Sequence, residues 1–300
     1  MEPTGIILER SYVLPDDLES KTAHWGEILW SLLRREAAIE LPRSLRNLDE
    51  FDFINIRLTN YLLSRLIVQG IVVFRKHKDL DDDTLQSKLE DVVDDLLNLS
   101  EPTRDQVVSY VRLICERLDT NAGASLTKNQ NRRIKAFAGQ KGHRCYICGQ
   151  QLTYEEQSIN NGSGNGAGHN ARAFEVDHIF PQSRGGGRGT DNLAASCNSC
   201  NKIKGHSINY ADFPIEKALT KSESPNNIKA DVASAEMKFA LLWKQKGACA
   251  LCGVHFYAQE DEQLHIFKKN TRDTYHFLNT QIVCVRCVEE HDLDGVLVRE

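Results

Sequence analysis

Glu175-Val-Asp177-His178-Ile-Phe-Pro181-Gln-Ser183 decides how this chain is read. Cys145-Tyr-Ile-Cys148 precedes it, and Asp191-Asn192-Leu193 and Cys197-Asn-Ser-Cys200-Asn201-Lys-Ile-Lys204 follow. Asp177 and His178 lie side by side after a strand-like run, Phe174 and Val176, and are bounded by Pro181 and a glycine turn. An adjacent carboxylate and imidazole supply a hard-cation ligand and a general base within one short segment. Each C-x2-C pair can present two thiolates to one tetrahedral ion. Asn201, beside the second pair, is placed to offer another oxygen ligand. For Glu175 the expectation is a strand residue facing solvent.

Working outward, eight of the nine cysteines fall into four such pairs, the other two being Cys249/Cys252 and Cys284/Cys287, and Cys115 stands alone. In a reducing compartment this spacing favours metal over disulfides, so two structural Zn2+ ions are expected. Cys115 reads as a core residue of its helix.

The composition is that of an ordinary soluble protein: 300 residues, 41% hydrophobic, formal net charge −5. That length suggests about two domains. The net charge conceals a division, because residues 1–120 carry 15 basic and 23 acidic side chains, residues 121–210 carry 11 and 5, and residues 211–300 carry 11 and 14. The basic surplus coincides with the first two cysteine pairs and suits a polyanionic partner. No apolar run approaches the roughly 20 residues of a membrane helix. The first residues do not read as a signal peptide. A cytoplasmic protein with no membrane partner is expected.

The first 120 residues read as helical. Leu18, Trp25, Ile28, Leu29, Leu32 and Leu33 recur at helical spacing behind Asp16 and Asp17. Phe51 to Leu62, Leu85 to Leu97 and Val107 to Leu118 mark three more helices. Ile6 to Leu8 and Ile71 to Phe74 could be strands, and the acidic run Asp79 to Asp83 reads as a solvated helix start. Asn121 to Ser125 reads as a linker, Leu126 to Gln140 as a basic helix, Gln157 to His169 as a loop and Ala211 to Asn227 as a connector.

The ordered set C-x2-C, D-H-I-x-P, glycine turn, D-N-L and C-x2-C-N-x2-K resembles the HNH endonuclease family, in the branch whose ββα-metal motif is braced by a four-cysteine zinc site. It spans about seventy residues and says nothing about residues 1–120. The resemblance implies that His178 is the general base and that Asp177 and Asn201 hold one catalytic divalent ion, Mg2+ or Mn2+. It implies that Asn192 braces the loop and orients the imidazole, and that Cys145, Cys148, Cys197 and Cys200 hold the first zinc. Arg184, Arg188, Lys202 and Lys204 are the candidates for DNA phosphate contacts.

The pattern repeats. Gln140-Lys-Gly142 and C-Y-I-C-G correspond to Gln245-Lys-Gly247 and C-A-L-C-G, while Glu175-V-D-His178-I-F corresponds to Glu262-Q-L-His265-I-F. His178 precedes Cys197 by nineteen residues and His265 precedes Cys284 by nineteen; Asn192 and Asn279 each lie five before those cysteines. This points to an internal duplication. On this alignment Leu264 replaces Asp177 and Val288 replaces Asn201, so the second copy keeps a zinc site, Cys249, Cys252, Cys284 and Cys287, without catalytic ligands.

The expected fold is α+β: a helical regulatory or interaction domain (1–122), an HNH module (123–210), a linker (211–229) and a degenerate zinc module (230–300). The expected activity is hydrolysis of DNA, double-stranded by preference, in bacterial defence or a mobile element. Control would come from the helical domain, a protein partner or self-association. The rival from another class is a non-catalytic adaptor whose tandem zinc modules hold nucleic acid or protein.

Overall fold

The computed structural model describes residues 24–40, 48–120, 126–154, 171–213, 235–254, 264–270, 276–291 and 296–298. The expected strand at Ile6 to Leu8, the linker at Asn121 to Ser125, the loop at Gln157 to His169 and most of the 211–227 connector lie outside them. The described chain is mixed helix and small sheets, with a helical N-terminal region. It divides into two units: residues 24–128 with 178–192, and residues 129–177 with 193–298.

In the first unit, α1 (Trp25–Glu40), α2 (Leu48–His77), α3 (Asp82–Asp94) and α4 (Glu101–Thr120) pack on one another. Their apolar stripes supply the core: Leu29, Leu33, Leu63, Leu66, Leu89, Val107, Val111 and Ile114 are all solvent-inaccessible. Asp81 caps α3, its carboxylate accepting from the Thr84 amide at 2.9 Å, as the helix-start reading of the acidic run anticipated. Cys115 is buried in α4 and its thiol is pushed up to about 12 by burial, which makes it an inert core residue.

One expectation is corrected here. Ile71 to Phe74 is not a strand: it belongs to α2, which continues unbroken from Leu48 to His77 because no proline or cap interrupts it. By length and composition, Glu50–His77 could cross a membrane, although the apolar runs in the sequence looked too short. Its inward face instead packs on α1, α3 and α4. Buried Asn60 accepts from the Trp30 indole at 2.7 Å, a polar bond inside the bundle.

The second unit contains two similar assemblies. The first consists of α5 (Lys128–Gln140), a cysteine turn, β1 (Phe174–His178) paired with β2 (Leu193–Cys197), and α6 (Asn198–Lys204). The second consists of α7 (Ala235–Lys244), a cysteine turn, β3 (Leu264–Lys268) antiparallel to β4 (Thr280–Cys284), α8 (Val285–Glu290) and a third strand, β5 (Val296–Val298), on the other edge of β3. An aromatic cluster of Phe213, Phe239 and Trp243, with ring centroids 5.3–6.0 Å apart, joins α7 to the segment after α6.

The backbone hydrogen bonds of the two assemblies superpose. The Cys145 and Cys249 amides each donate at 2.9 Å to a carbonyl five residues ahead. The Tyr146 and Ala250 amides each reach the carbonyl two residues before the next cysteine pair. The strand alignment, however, differs from the one read off the sequence. The first amide after β1, Ile179, donates to the Asn192 carbonyl at 2.9 Å, and the first amide after β3, Lys269, donates to the Asn279 carbonyl at 2.7 Å. Lys268 therefore stands where His178 stands and Phe267 where Asp177 stands, while His265 lies mid-strand opposite Val283, at the place of Glu175. Equal spacing to the cysteines misled because the loop after β3 is three residues shorter and the strand register absorbs the difference.

Candidate active site

Side chains alternate across a strand, so Glu175 and Asp177 share one face of β1 and His178 takes the other. On α6, Asn198, Asn201 and Lys204 recur every three residues and form one stripe. The stripe meets the two carboxylates. Glu175 accepts hydrogen bonds from the side-chain amides of both Asn198 and Asn201. Asp177 is ion-paired with Lys204, whose Nζ lies 3.0 Å from one carboxylate oxygen and 3.2 Å from the other, and accepts from the Tyr146 hydroxyl. Asp177 is 4% exposed and Lys204 2%.

Burial lowers the affinity of Lys204 for its proton, and the Asp177 charge opposes that shift. Burial first, and the Asp177 charge second, push the Tyr146 phenol well above its ordinary value, so it stays a donor. Glu175, Asp177 and Asn201 each carry hard oxygens of the kind a divalent cation takes, with Glu175 and Asn201 in contact and Asp177 held by Lys204 and Tyr146. The Lys204 ammonium against Asp177 shows that this carboxylate already faces positive charge.

The structure brings Asn201 to Glu175 and leaves Asp177 with Lys204 and Tyr146. Two expectations change as a result. Lys204 is no surface phosphate contact, because its ammonium is buried on Asp177. Glu175 does not simply face solvent: it is half-buried and bonded to α6. The signal for Glu175 was its place two residues before Asp177 in a strand; nothing in the sequence marked Tyr146. Lys202 is exposed, while Arg184 and Arg188 are half-buried.

His178, half-buried, ends β1 and opens the loop that Asn192 closes. Asn192 is 2% exposed. Its Oδ1 accepts from the Phe180 amide at 2.8 Å, and its Nδ2 donates to the Phe180 and Gly187 carbonyls at 2.9 and 2.7 Å. Three bonds from one amide hold the loop closed within two residues of His178. Asn279 makes the matching pair of bonds to Asn270, at 2.8 and 3.1 Å.

Cys145, Cys148, Cys197 and Cys200 bring their sulfurs within 4.8 Å of one another, and so do Cys249, Cys252, Cys284 and Cys287; each set could hold zinc. In the first cluster, hydrogen bonds from Cys145, Cys148 and Cys200 lower the proton affinity of the Cys197 thiol. In the second, the Val254 amide is the main cause that brings exposed Cys252 down to about 7.

Residues 167–211 match the HNH endonuclease family. The HNH match covers 45 of the 300 residues, takes in β1, β2 and α6 with Asp177, His178, Asn192 and Asn201, and points to nuclease activity on a nucleic acid. No curated protein and no solved structure matches the chain.

In the second assembly, Phe267 and Val288 occupy the places of Asp177 and Asn201, so neither oxygen ligand is present. Burial lowers the proton affinity of His265, whose ring stacks on Phe267 at 6.3 Å. His265→Ala is accordingly expected to leave plasmid cleavage unchanged in a nicking assay; a loss equal to that of His178→Ala would contradict the assignment.

Proposed function

We propose that the chain is a metal-dependent HNH endonuclease that hydrolyses DNA phosphodiester bonds, with Zn2+ in each cysteine cluster as frame and Mg2+ or Mn2+ as the catalytic ion. The observation that carries this reading is the placement of Glu175 and Asp177 on one face of β1 against the Asn201 and Lys204 stripe of α6, beside a four-cysteine cluster, with His178 the next residue in the chain. A divalent ion on those oxygens would neutralise the scissile phosphate and stabilise the departing 3′ oxygen. His178 takes the proton of the attacking water. Asn192 keeps the loop after His178 closed and so fixes the imidazole. Lys204 and Tyr146 hold the Asp177 carboxylate in place. Arg184, Arg188 and Lys202 are the phosphate contacts, and breaking the bond between phosphorus and the 3′ oxygen leaves 5′-phosphate and 3′-hydroxyl ends. Cytoplasmic location, a role in bacterial defence or a mobile element, and control through the helical domain, a protein partner or self-association complete the proposal.

One observation favours the adaptor reading: Asp177 is buried and already satisfied by Lys204 and Tyr146. The two readings separate in Asp177→Asn and Asn201→Ala. Asp177→Asn keeps one acceptor oxygen but removes the charge that balances buried Lys204, and breaking such a pair costs about 3–5 kcal/mol, so Asn201→Ala is the cleaner of the two variants. The nuclease reading predicts a loss of plasmid cutting of roughly 10²-fold or more in both, with DNA binding retained in both, thermal stability retained in Asn201→Ala and a lowered melting temperature in Asp177→Asn. Undiminished function in both variants would favour the adaptor.

A further inference from the structure

The loop from His178 to Asn192 groups with the N-terminal helices. Three contacts bind it there. The Gly26 amide, at the start of α1, donates to the Gly185 carbonyl at 3.1 Å. Arg117, near the end of α4, donates to the same carbonyl at 3.4 Å, while its guanidinium lies 3.8 Å above the Trp25 ring. His24 Nε2 lies 2.6 Å from Asp191 Oδ2, one residue before the bracing Asn192.

The central contact is backbone against backbone, and two glycines make it possible. A Cβ on Gly26 would lie 2.8 Å from the Gly185 carbonyl carbon and 2.8 Å from the Phe180 ring, and closer still to the Arg184 carbonyl oxygen. Gly185 adopts φ +85°, and a Cβ there would come within 2.9 Å of Ile114 and 3.1 Å of the Gly26 Cα. Such a contact sets spacing tightly, because no side chain lies between the two backbones to change rotamer and absorb a shift.

We infer that the helical domain completes the nuclease loop: Gly26 and Arg117 are positioning residues that act through Gly185 on the segment carrying His178 and Asn192. The inference rests on the nuclease reading and gives the helical domain a definite sign. It supports the cutting loop; it does not block it. Asn192 ties the loop to itself, and α1 and α4 tie it to the bundle. The sensitivity expected is that of catalytic groups generally, for which a misplacement of about 1 Å costs on the order of 10²-fold.

The test uses the full chain, with Gly26→Ala and Arg117→Lys. Alanine is the better helix former, so Gly26→Ala leaves α1 intact while its Cβ displaces the loop. Lysine keeps the charge and a donor in Arg117→Lys but loses the plane that stacks on Trp25. The expected result is a fall in plasmid-nicking kcat of roughly 10–100-fold for Gly26→Ala and a smaller fall for Arg117→Lys. KM for plasmid and zinc content should stay unchanged, and deuterium exchange should rise over residues 178–192 but not over β2 and α6. Wild-type rates and exchange in Gly26→Ala, or faster cutting, would overturn the inference while leaving the nuclease reading standing. A wild-type chain that never cuts would overturn the nuclease reading and this inference with it.

Discussion

Replacing His178 with alanine is expected to slow plasmid cleavage by roughly 10²–10⁴-fold, the factor a positioned general base contributes. The expectation rests on position. His178 ends β1 next to Asp177 and begins a loop whose far end, Asn192, is fixed by three hydrogen bonds. Removing the ring deletes the proton acceptor and leaves the oxygens of Glu175, Asp177 and Asn201 untouched. Folding should survive, since the side chain is only half-buried and the loop is held by other groups. Zinc content and melting temperature should therefore match the wild type while the rate collapses. A rate within a few-fold of wild type would assign the proton transfer elsewhere. The same substitution at His265 is the internal control, because the strand register places that ring opposite Val283, away from the position His178 holds.

The second large effect is expected from Cys197→Ser. Cys197 ends β2, its sulfur accepts from the Cys200 amide at the start of α6, and it lies 3.9 Å from Cys148 Sγ. It thus joins the cysteine turn to the helix that carries Asn198, Asn201 and Lys204. Structural zinc contributes about 10–16 kcal/mol in small zinc domains, comparable with the whole net stability of about 5–15 kcal/mol of a typical domain. Loss of that ion should release α6 from β1, abolish cutting and lower the melting temperature. Zinc per chain should fall from two to one by atomic absorption. Two zinc ions retained in a stable, active Cys197→Ser protein would show that this cluster is not the frame of the site.

How much of this was readable in the sequence follows from the range of the interactions. The two cysteine clusters were legible because their geometry is set by short spacings and repeated offsets, and the bracing role of Asn192 was legible only through the resemblance to the HNH pattern. The stripes of α1, α3 and α4 were legible from periodicity. Lys204 was misread because a lysine four residues past a cysteine pair looks like surface, and only the fold shows Asp177 opposite it. Tyr146 was invisible for the same reason. The duplication was legible, but its register was not: a three-residue difference in loop length is absorbed by sliding β3, which backbone hydrogen bonds reveal and residue counting does not. Gly26 gave no signal at all, since its role depends on Gly185, a partner more than 150 residues away.

DNA cleavage at the site of Asp177, His178 and Asn201 is open to direct measurement. Its most direct test is incubation of the full-length protein with supercoiled plasmid and Mg2+, with and without chelator, beside His178→Ala. Conversion to nicked or linear plasmid by the wild type alone, stopped by the chelator, is the expected result. Plasmid left supercoiled with every divalent ion tried, by a protein that still binds DNA and holds two zinc ions, would contradict it.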